Sequence, residues 1–295
     1  MKNIIIFGTG IGGRAIYRKL KDTHNIIGFI DNNPALAGTT YDKLPIYLVE
    51  EINNIPFDNI AVSGVWIEDM KKQLYDLGIT DDRILIFEDD ILDFSTQKRI
   101  EDTDKIVKEL DSIMQENNIS YCIEGSSLLS LLRGGNLSDV PDVDILIKSQ
   151  DDLERLYTHI QHNDILKHYQ INKVLYQEDR ILTKKDTIDK IIIKTVPISY
   201  MEEAVVIDIN LVVDIGKYYI MDYMYNYYLY FNKEYVDGLN YFNYKDMQLL
   251  IPMQPELYLE LLYGKNWRIP AKHFSYKDYG NLLTEEDLKN MIKNQ

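Results

Sequence analysis

Short apolar runs alternate with segments of helical spacing through the first part of the chain. The apolar runs are residues 4–7, 26–30, 60–65 and 84–87. Runs of this length bounded by glycine or polar residues are typical of buried strands, and strands that alternate with helices favour a parallel sheet. The pattern predicts a Rossmann-like parallel-sheet domain over residues 1–97, since the polar stretch 88–99 shows no sustained period.

The rest of the chain, residues 98–295, predicts a second domain. A chain of 295 residues exceeds the roughly 100–200 residues of a typical domain, so length alone favours two cores. Apolar positions recur at helical spacing between residues 100 and 118, and apolar runs follow at 119–123, 145–147 and 205–213. We expect residues 100–118 to form a helix and the three apolar runs to form strands.

A glycine-rich turn joins the first predicted strand to the first predicted helix. Gly8, Gly10 and Gly13 form this turn, and Asp31 ends the second apolar run. In dinucleotide-binding folds such a turn presents free helix N–H groups to phosphate, and an acidic residue at this place binds a ribose hydroxyl. The motif predicts a bound nucleotide or nucleotide-sugar; alternatively, the glycines only permit a tight turn.

The first domain resembles the nucleotide-sugar-binding domain of bacterial sugar acyltransferases. The resemblance rests on the glycine turn and on a Gly-Phe-Ile-Asp-x-x-Pro segment, which runs here from Gly28 through Asp31 to Pro34. In those enzymes a left-handed repeat helix follows this domain. The sequence pattern of that helix is absent from residues 98–295. The resemblance therefore implies the domain without implying acyl transfer.

Two carboxylates are spaced for one face of a strand in the second domain. Asp142 and Asp144 are separated by a single residue, and alternate residues of a strand point to the same side. Carboxylate oxygens are the ligands that Mg²⁺ or Mn²⁺ prefers, and these ions serve phosphoryl transfer. We predict a metal site here, with a solvated strand end as the alternative.

A second glycine turn precedes this acidic strand. Gly125 permits close backbone approach, Ser126 and Ser127 offer hydroxyls, and the following helix N-terminus offers N–H groups, so the turn is predicted to bind phosphate. Arg133, at the end of that helix, is a candidate for pairing with phosphate oxygens. The alternatives are an ordinary serine cap and a structural salt bridge.

These motifs resemble the LicD-type transferases, a branch of the nucleotidyltransferase superfold that includes phosphocholine transferases and fukutin-like ribitol-phosphate enzymes. The family pattern is Gly-Gly-Thr-Leu-Leu-Gly-x-x-Arg, an Asp-Ile-Asp strand, and a Tyr-Gly-x-x-Trp ending followed by Pro. The matching residues here are Gly125, Leu128, Leu129, Arg133, the segment 142–144 and the segment 263–270. One departure is that residues 138–141 replace the family's Pro-Trp-Asp-Asp, which makes Asp139 a candidate substitute carboxylate.

The resemblance implies an α+β, nucleotidyltransferase-like fold for residues 98–295. Such folds carry a third carboxylate on a neighbouring strand, and Asp208 in the apolar run 205–213 is the candidate for third metal ligand or general base. The alternative is a polar residue that faces outward from a half-buried strand, although a buried unpaired carboxylate would be costly.

The expected reaction moves a phosphorylated alcohol, such as phosphocholine or a polyol phosphate, from a CDP-linked donor to a sugar hydroxyl. The acceptor would be a glycan or lipid-linked saccharide of the cell surface. Two alternatives stay open. One is nucleotidyl transfer from a nucleoside triphosphate with release of pyrophosphate, and the other is a non-catalytic nucleotide-sugar-binding scaffold.

Charge and composition restrict partners and location. The net charge of −15, from 32 Lys and Arg against 47 Asp and Glu, argues against a nucleic acid partner. No segment approaches the roughly 20 apolar residues that cross a bilayer, and the first residues lack a signal-peptide pattern. With the single Cys122 precluding an intramolecular disulfide, we expect a cytoplasmic protein, which includes the inner face of the membrane.

Overall fold

The chain has a mixed α/β fold made of two compact units. The computed structural model describes residues 2–64, 66–87, 96–196, 203–271 and 274–294, and for Tyr225 the backbone alone. Unit 1 comprises Met1–Asp93, Pro197–Glu203 and Ala271–Tyr276, and unit 2 comprises Phe94–Val196, Ala204–Pro270 and Lys277–Gln295. In the described residues no helix is both long and apolar enough to cross a membrane.

Unit 1 contains a Rossmann-like sheet, as the sequence predicts. Its elements are β1 (Asn3–Phe7), α1 (Ile11–Leu20), β2 (Asn25–Asp31), β3 (Thr40–Tyr41), β4 (Leu44–Leu48), β5 (Asn59–Ser63), α2 (Ile67–Asp76) and β6 (Ile84–Phe87). The strand order is β3-β4-β2-β1-β5-β6. All neighbours are parallel except β3 and β4, so the core follows the doubly wound order that places strand one at the centre.

Both faces of this sheet are buried, which explains why its strands are continuous apolar runs. Ile4 and Ile6 of β1 pack on one side with Ile16 of α1. Ile5 lies in the other apolar cluster, together with Leu74 of α2. A strand covered by a helix on each face has no solvent-facing positions, so the alternation of apolar and polar residues disappears.

The glycine turn of unit 1 brings Gly13 against the backbone. An ideal Cβ on Gly13 would lie 1.9 Å from the carbonyl oxygen of Gly8, whereas a Cβ on Gly10 would meet nothing within 4 Å among the described residues. Gly8 itself has φ of +86°, in the region that favours glycine. The turn therefore requires glycine at positions 8 and 13 for backbone reasons.

Gly13→Ala should lower the free energy of unfolding of unit 1 by roughly 1–3 kcal/mol or more, because the new methyl group overlaps a backbone carbonyl. Urea unfolding followed by circular dichroism would measure the loss. Gly10→Ala is the matched control, since it only weakens a helix cap and should cost at most about 1 kcal/mol. Equal stability of the two variants would contradict the close approach.

Unit 2 is built on a mixed sheet with helices and smaller sheets beside it. Its elements are α3 (Gln97–Glu116), β7 (Tyr121–Ile123), α4 (Gly125–Leu132), β8 (Val143–Ile147), α5 (Gln150–His162), β9 (Gln170–Leu175), β10 (Ile188–Lys194), β11 (Val206–Leu211), β12 (Val213–Asp214), β13 (Tyr218–Asp222), β14 (Tyr228–Asn232), α6 (Lys233–Val236), β15 (Asn240–Tyr244), β16 (Met247–Ile251), α7 (Pro255–Tyr263), β17 (Leu282–Leu283) and α8 (Glu285–Lys293). The sheets have the orders β7-β8-β11-β10-β9, β12-β13-β14-β17 and β15-β16.

The five-stranded sheet positions the predicted site. β8 and β11 are parallel neighbours, while β7 pairs antiparallel with β8 and β10 pairs antiparallel with β11. One large apolar cluster, which includes the buried Ile145, Ile147, Ile207 and Ile209, surrounds the strands and α3. Polar side chains on β8 and β11 are therefore held in a rigid frame whose register the apolar residues fix.

Candidate functional site

Four carboxylates meet at the ends of three strands of unit 2, and we name them the acid cluster: Glu124, Asp142, Asp144 and Asp208. Asp144 on β8 is the direct register partner of Asp208 on β11. Glu124 lies between β7 and α4, where its N–H donates to the Asp144 carbonyl at 3.1 Å. Asp142 precedes β8 and interacts electrostatically with both Asp208 and Asp144. The structure thus brings together all three predicted carboxylates.

Burial and mutual repulsion raise the pKa values of three members of the acid cluster, Asp144, Asp142 and Glu124. Burial raises the pKa of Asp144 well above its ordinary value, and the charges of Asp142, Glu124 and Asp208 raise it further. Burial and the Asp208 charge raise the pKa of Asp142. Burial also raises the pKa of Glu124 to about 7, against a hydrogen bond from Tyr258 that lowers it. A cluster of this kind is stabilised by cations or by protons.

Two side chains satisfy part of the cluster. Lys190 on β10 donates from Nζ to Oδ2 of Asp208 at 2.7 Å. Tyr258 on α7, which is fully buried, donates its hydroxyl to Oε2 of Glu124 at 2.9 Å. Burial opposes the charge of Lys190, but Asp208, Asp189 and Asp144 outweigh it and raise the Lys190 pKa. Lys190 is therefore a cation at neutral pH, at the edge of the cluster.

Sequence reasoning missed Glu124, Lys190 and Tyr258. Glu124 directly precedes the predicted phosphate turn, and its place at the end of a buried apolar run is a signal that could have identified it. Lys190 and Tyr258 carry no comparable signal, because they reach the cluster only through strand pairing and helix packing. Their roles depend on tertiary structure alone.

The predicted phosphate turn packs against the acid cluster. Gly125 has φ of +55°, and a Cβ there would lie 3.1 Å from Oδ2 of Asp144. The buried Ser127 hydroxyl accepts from the Asp144 N–H at 2.9 Å and donates to the Asp142 carbonyl at 3.3 Å. Ser127 therefore joins α4 to β8, and Ser126 lies half-buried beside it. Phosphate binding at this turn stays a prediction.

Arg133 connects two segments that are far apart in sequence. Its Nε and Nη2 donate to the carbonyl of Trp267, with the Nε contact at 2.9 Å, and Nη2 also donates to the carbonyl of Ile269 at 3.2 Å. These bonds differ from the salt bridge considered as an alternative. They join the end of the Gly-Ser-Ser-Leu-Leu motif to the Tyr-Gly-Lys-Asn-Trp segment, and a phosphate contact of Arg133 stays a prediction.

Asp139 serves as a helix cap. It is exposed, and its Oδ2 accepts from the N–H of Asn136 at 2.7 Å at the start of the short helix Leu137–Asp139. This carboxylate is engaged by its own turn, whereas the members of the acid cluster are buried or half-buried.

The acid cluster fits a divalent cation in its chemistry. Its donors are hard carboxylate oxygens, and Oδ1 of Asp208 is buried with no hydrogen-bond partner among the described residues. As the side chains stand, no group of three or more His, Cys, Asp or Glu in the described part of the chain has the geometry to hold one ion. Lys190 and Tyr258 occupy oxygens that a cation would share, so metal binding would require these two side chains to adjust.

The glycine turn of unit 1 forms a separate candidate site. Asp31 uses Oδ2 to accept from the N–H and hydroxyl of Thr9, at 2.8 and 2.7 Å, and Oδ1 to accept from the N–H of Asn33. Asp31 thus stabilises the turn, and its contact with a ribose stays a prediction. Gly10, the N-cap of α1, makes no side-chain cap bond within the described residues, which leaves N–H groups of the first turn for a ligand.

Comparisons with known proteins give distant similarities. A family model described as C2185-like, N-terminal, matches residues 1–85. No curated protein matches. UDP-D-quinovosamine 4-dehydrogenase from Vibrio fischeri is 20% identical over 29% of this chain and 77% of its own, with a TM-score of 0.26.

Two other solved structures show similarity of the same order. The lincosamide antibiotic adenylyltransferase LnuA, bound to lincomycin, is 14% identical over 67% of this chain and 96% of its own, with a TM-score of 0.33. RSP, a Rex-family repressor, is 17% identical over 40% of this chain and 64% of its own, with a TM-score of 0.24. Identities and TM-scores this low carry no information about the function of this chain.

Glu124→Gln should change the pH dependence of stability. A pKa raised to about 7 in the folded protein means that Glu124 favours folding while protonated, and this contribution is lost as pH rises through about 7. Between about pH 5.5 and pH 8 the wild type should lose about 2 kcal/mol relative to Glu124→Gln, whose amide does not titrate. Urea unfolding across this range measures the difference, and parallel pH profiles would contradict the assignment.

Lys190→Met should leave Asp208, whose side chain is 14% exposed, without its cation. The free energy of unfolding should fall by about 1–3 kcal/mol, and millimolar Mg²⁺ should raise the melting temperature more than it does in the wild type. The control is Lys190→Met combined with Asp208→Asn, which has no unpaired carboxylate at this position. An identical Mg²⁺ response in all three proteins would speak against a cation site.

Proposed function

We propose that unit 2 transfers a phosphorylated alcohol, such as phosphocholine or a polyol phosphate, from a CDP-linked donor to a sugar hydroxyl of a cell-surface glycan or lipid-linked saccharide. The observation that carries this proposal is the register pairing of Asp144 with Asp208 on parallel strands, beside Asp142 and Glu124. Converging carboxylates with one buried oxygen unpaired suit phosphoryl chemistry, because that chemistry depends on positioned charge.

The donor class is supported by the LicD-like motifs. Arg133, the last residue of the first motif, donates to the carbonyls of Trp267 and Ile269 in the last motif. The two matching segments are therefore in contact within one unit. Contact between them supports treating them as parts of one site.

The residues of the acid cluster would have different roles in catalysis. Asp142 and Asp144 would hold Mg²⁺ or Mn²⁺, with Asp208 as third ligand or as the base. A bound ion would supply charge neutralisation for the transferred phosphate and the leaving CMP. As the base, Asp208 would take the proton of the sugar hydroxyl while that oxygen bonds to phosphorus and the bond to CMP breaks. Lys190 would orient Asp208 through its 2.7 Å hydrogen bond.

Unit 1 would bind a nucleotide or nucleotide-sugar at the N-terminus of α1. The open cap at Gly10 supports this role. Phosphate oxygens there would accept from N–H groups that no cap residue uses. We place both activities in the cytoplasm, in keeping with a chain that has one cysteine.

Asp144→Asn should lower the rate of CMP release from a CDP-alcohol at least roughly a hundredfold, because a neutral amide cannot supply the charge at this position. The assay would incubate the protein with a panel of CDP-alcohols, Mg²⁺ and candidate glycans, and would measure CMP. Asp139→Asn is the matched control, since that exposed carboxylate lies in a cap, and it should retain wild-type activity.

The products separate the alternatives. Full activity of Asp144→Asn would contradict the mechanism. Pyrophosphate from a nucleoside triphosphate, without CMP from any CDP-alcohol, would make nucleotidyl transfer the reaction. Absence of both products, together with binding of a nucleotide-sugar, would favour the scaffold.

A further inference from the structure

Arg99 lies in the first turn of α3, and its guanidinium is buried within unit 2. The residue is 4% exposed. Its Nε donates to the carbonyl of Ser138 at 3.2 Å, and its Nη2 donates to the carbonyls of Val140 at 2.7 Å and Pro141 at 3.0 Å. Its Nη1 donates to the carbonyl of Ala204. One side chain therefore binds backbone oxygens from two distant parts of the chain.

These two parts lead directly into the strands that carry the acid cluster. Residues 138–141 directly precede Asp142, which lies immediately before β8. Ala204 lies two residues before β11, which carries Asp208. Since β8 and β11 are hydrogen-bonded neighbours, Arg99 holds the entry of both strands at once.

A guanidinium is suited to this task. Its five N–H donors point outward in a rigid plane, whereas a lysine ammonium is a compact centre with three donors. The contacts of Arg99 with these segments are to main-chain carbonyls. Burial raises the pKa of Asp142, and the charge of Arg99 opposes this rise.

We propose that Arg99 is a positioning residue that sets the spacing of Asp142 and Asp144 from Asp208 on β11. The contribution of this spacing to turnover rests on the proposed function, but the positioning can be measured without substrate. The proposal also explains how residues 138–141 can depart from the LicD pattern, since Arg99 binds their main-chain carbonyls and not their side chains.

The test is hydrogen exchange, read by mass spectrometry, on the full chain carrying Arg99→Lys or Arg99→Gln. Exchange should accelerate at least about tenfold in peptides covering residues 138–147 and 204–211 and stay unchanged elsewhere in unit 2. Arg83→Lys is the matched control. Arg83 also donates to backbone carbonyls, those of Phe57 at 2.6 Å and Asp58 at 3.3 Å, but in unit 1.

Arg99→Lys decides between geometry and charge. It keeps the charge, so exchange close to that of the wild type would overturn the proposal, as would faster exchange spread evenly over unit 2. Should Arg99→Gln fail to fold, Arg99→Lys carries the test alone. Exchange that accelerates in residues 138–147 and 204–211, and nowhere else in unit 2, would support the positioning role.

Turnover supplies an independent readout. With a CDP-alcohol donor, Arg99→Lys should lower kcat about tenfold or more and leave KM for the donor nearly unchanged, because the reacting groups are displaced while donor binding persists. Unchanged kcat alongside accelerated exchange would overturn the link to catalysis. If the wild type releases no CMP, the proposed function fails while the exchange data still decide the positioning role.

Discussion

Repulsion among buried carboxylates is the constraint on which the organisation of unit 2 depends. Asp144 and Asp208 are fixed side by side because β8 and β11 pair in parallel, and Glu124 and Asp142 lie next to them. Such a group of charges is unfavourable unless cations, protons or hydrogen bonds compensate it. This need for compensation explains the contacts that neighbouring side chains make with the cluster. Lys190 supplies a cation and Tyr258 supplies a hydroxyl, whereas Ser127 holds the backbone that carries two of the acids.

Two arginines of unit 2 support this arrangement through main-chain contacts. Arg99 and Arg133 both donate to backbone carbonyls, the first at the entry of the acid-bearing strands and the second at Trp267 and Ile269. Had either guanidinium paired with a carboxylate of the cluster, the bidentate geometry would have consumed the oxygens that a ligand needs. Binding to carbonyls gives mechanical support and leaves the acid cluster available. The cluster is thus held rigidly by residues outside it.

Much of the fold could be predicted from the sequence, because local patterns report local structure. The start of unit 1 has the sequence pattern of a strand, a glycine turn and a helix. The single residue between Asp142 and Asp144 indicates a strand with both carboxylates on one side. Contacts between distant segments leave no such pattern. Lys190 reaches Asp208 only through the pairing of β10 with β11, and Arg99 reaches Ala204 across 105 residues. The tyrosine-rich stretch 218–235 shows no clear period, yet most of it forms the antiparallel strands β13 and β14.

Protons, Lys190 and any divalent ion would each bind carboxylate oxygens of the acid cluster, and pH would change the balance among them in a definite direction. The pKa of Glu124 is raised to about 7, and that of Asp144 is raised well above its ordinary value, so protons on these two groups reduce the negative charge of the cluster at acidic pH. As pH rises, these protons leave, the cluster becomes more negative, and its attraction for a cation grows. Lys190 stays charged over this pH range because its own pKa is raised. Deprotonation therefore does not break its hydrogen bond to Asp208. A cation that bound Oδ2 of Asp208 would therefore have to displace the Lys190 ammonium, so the hydrogen bond between Lys190 and Asp208 would oppose cation binding at neutral pH.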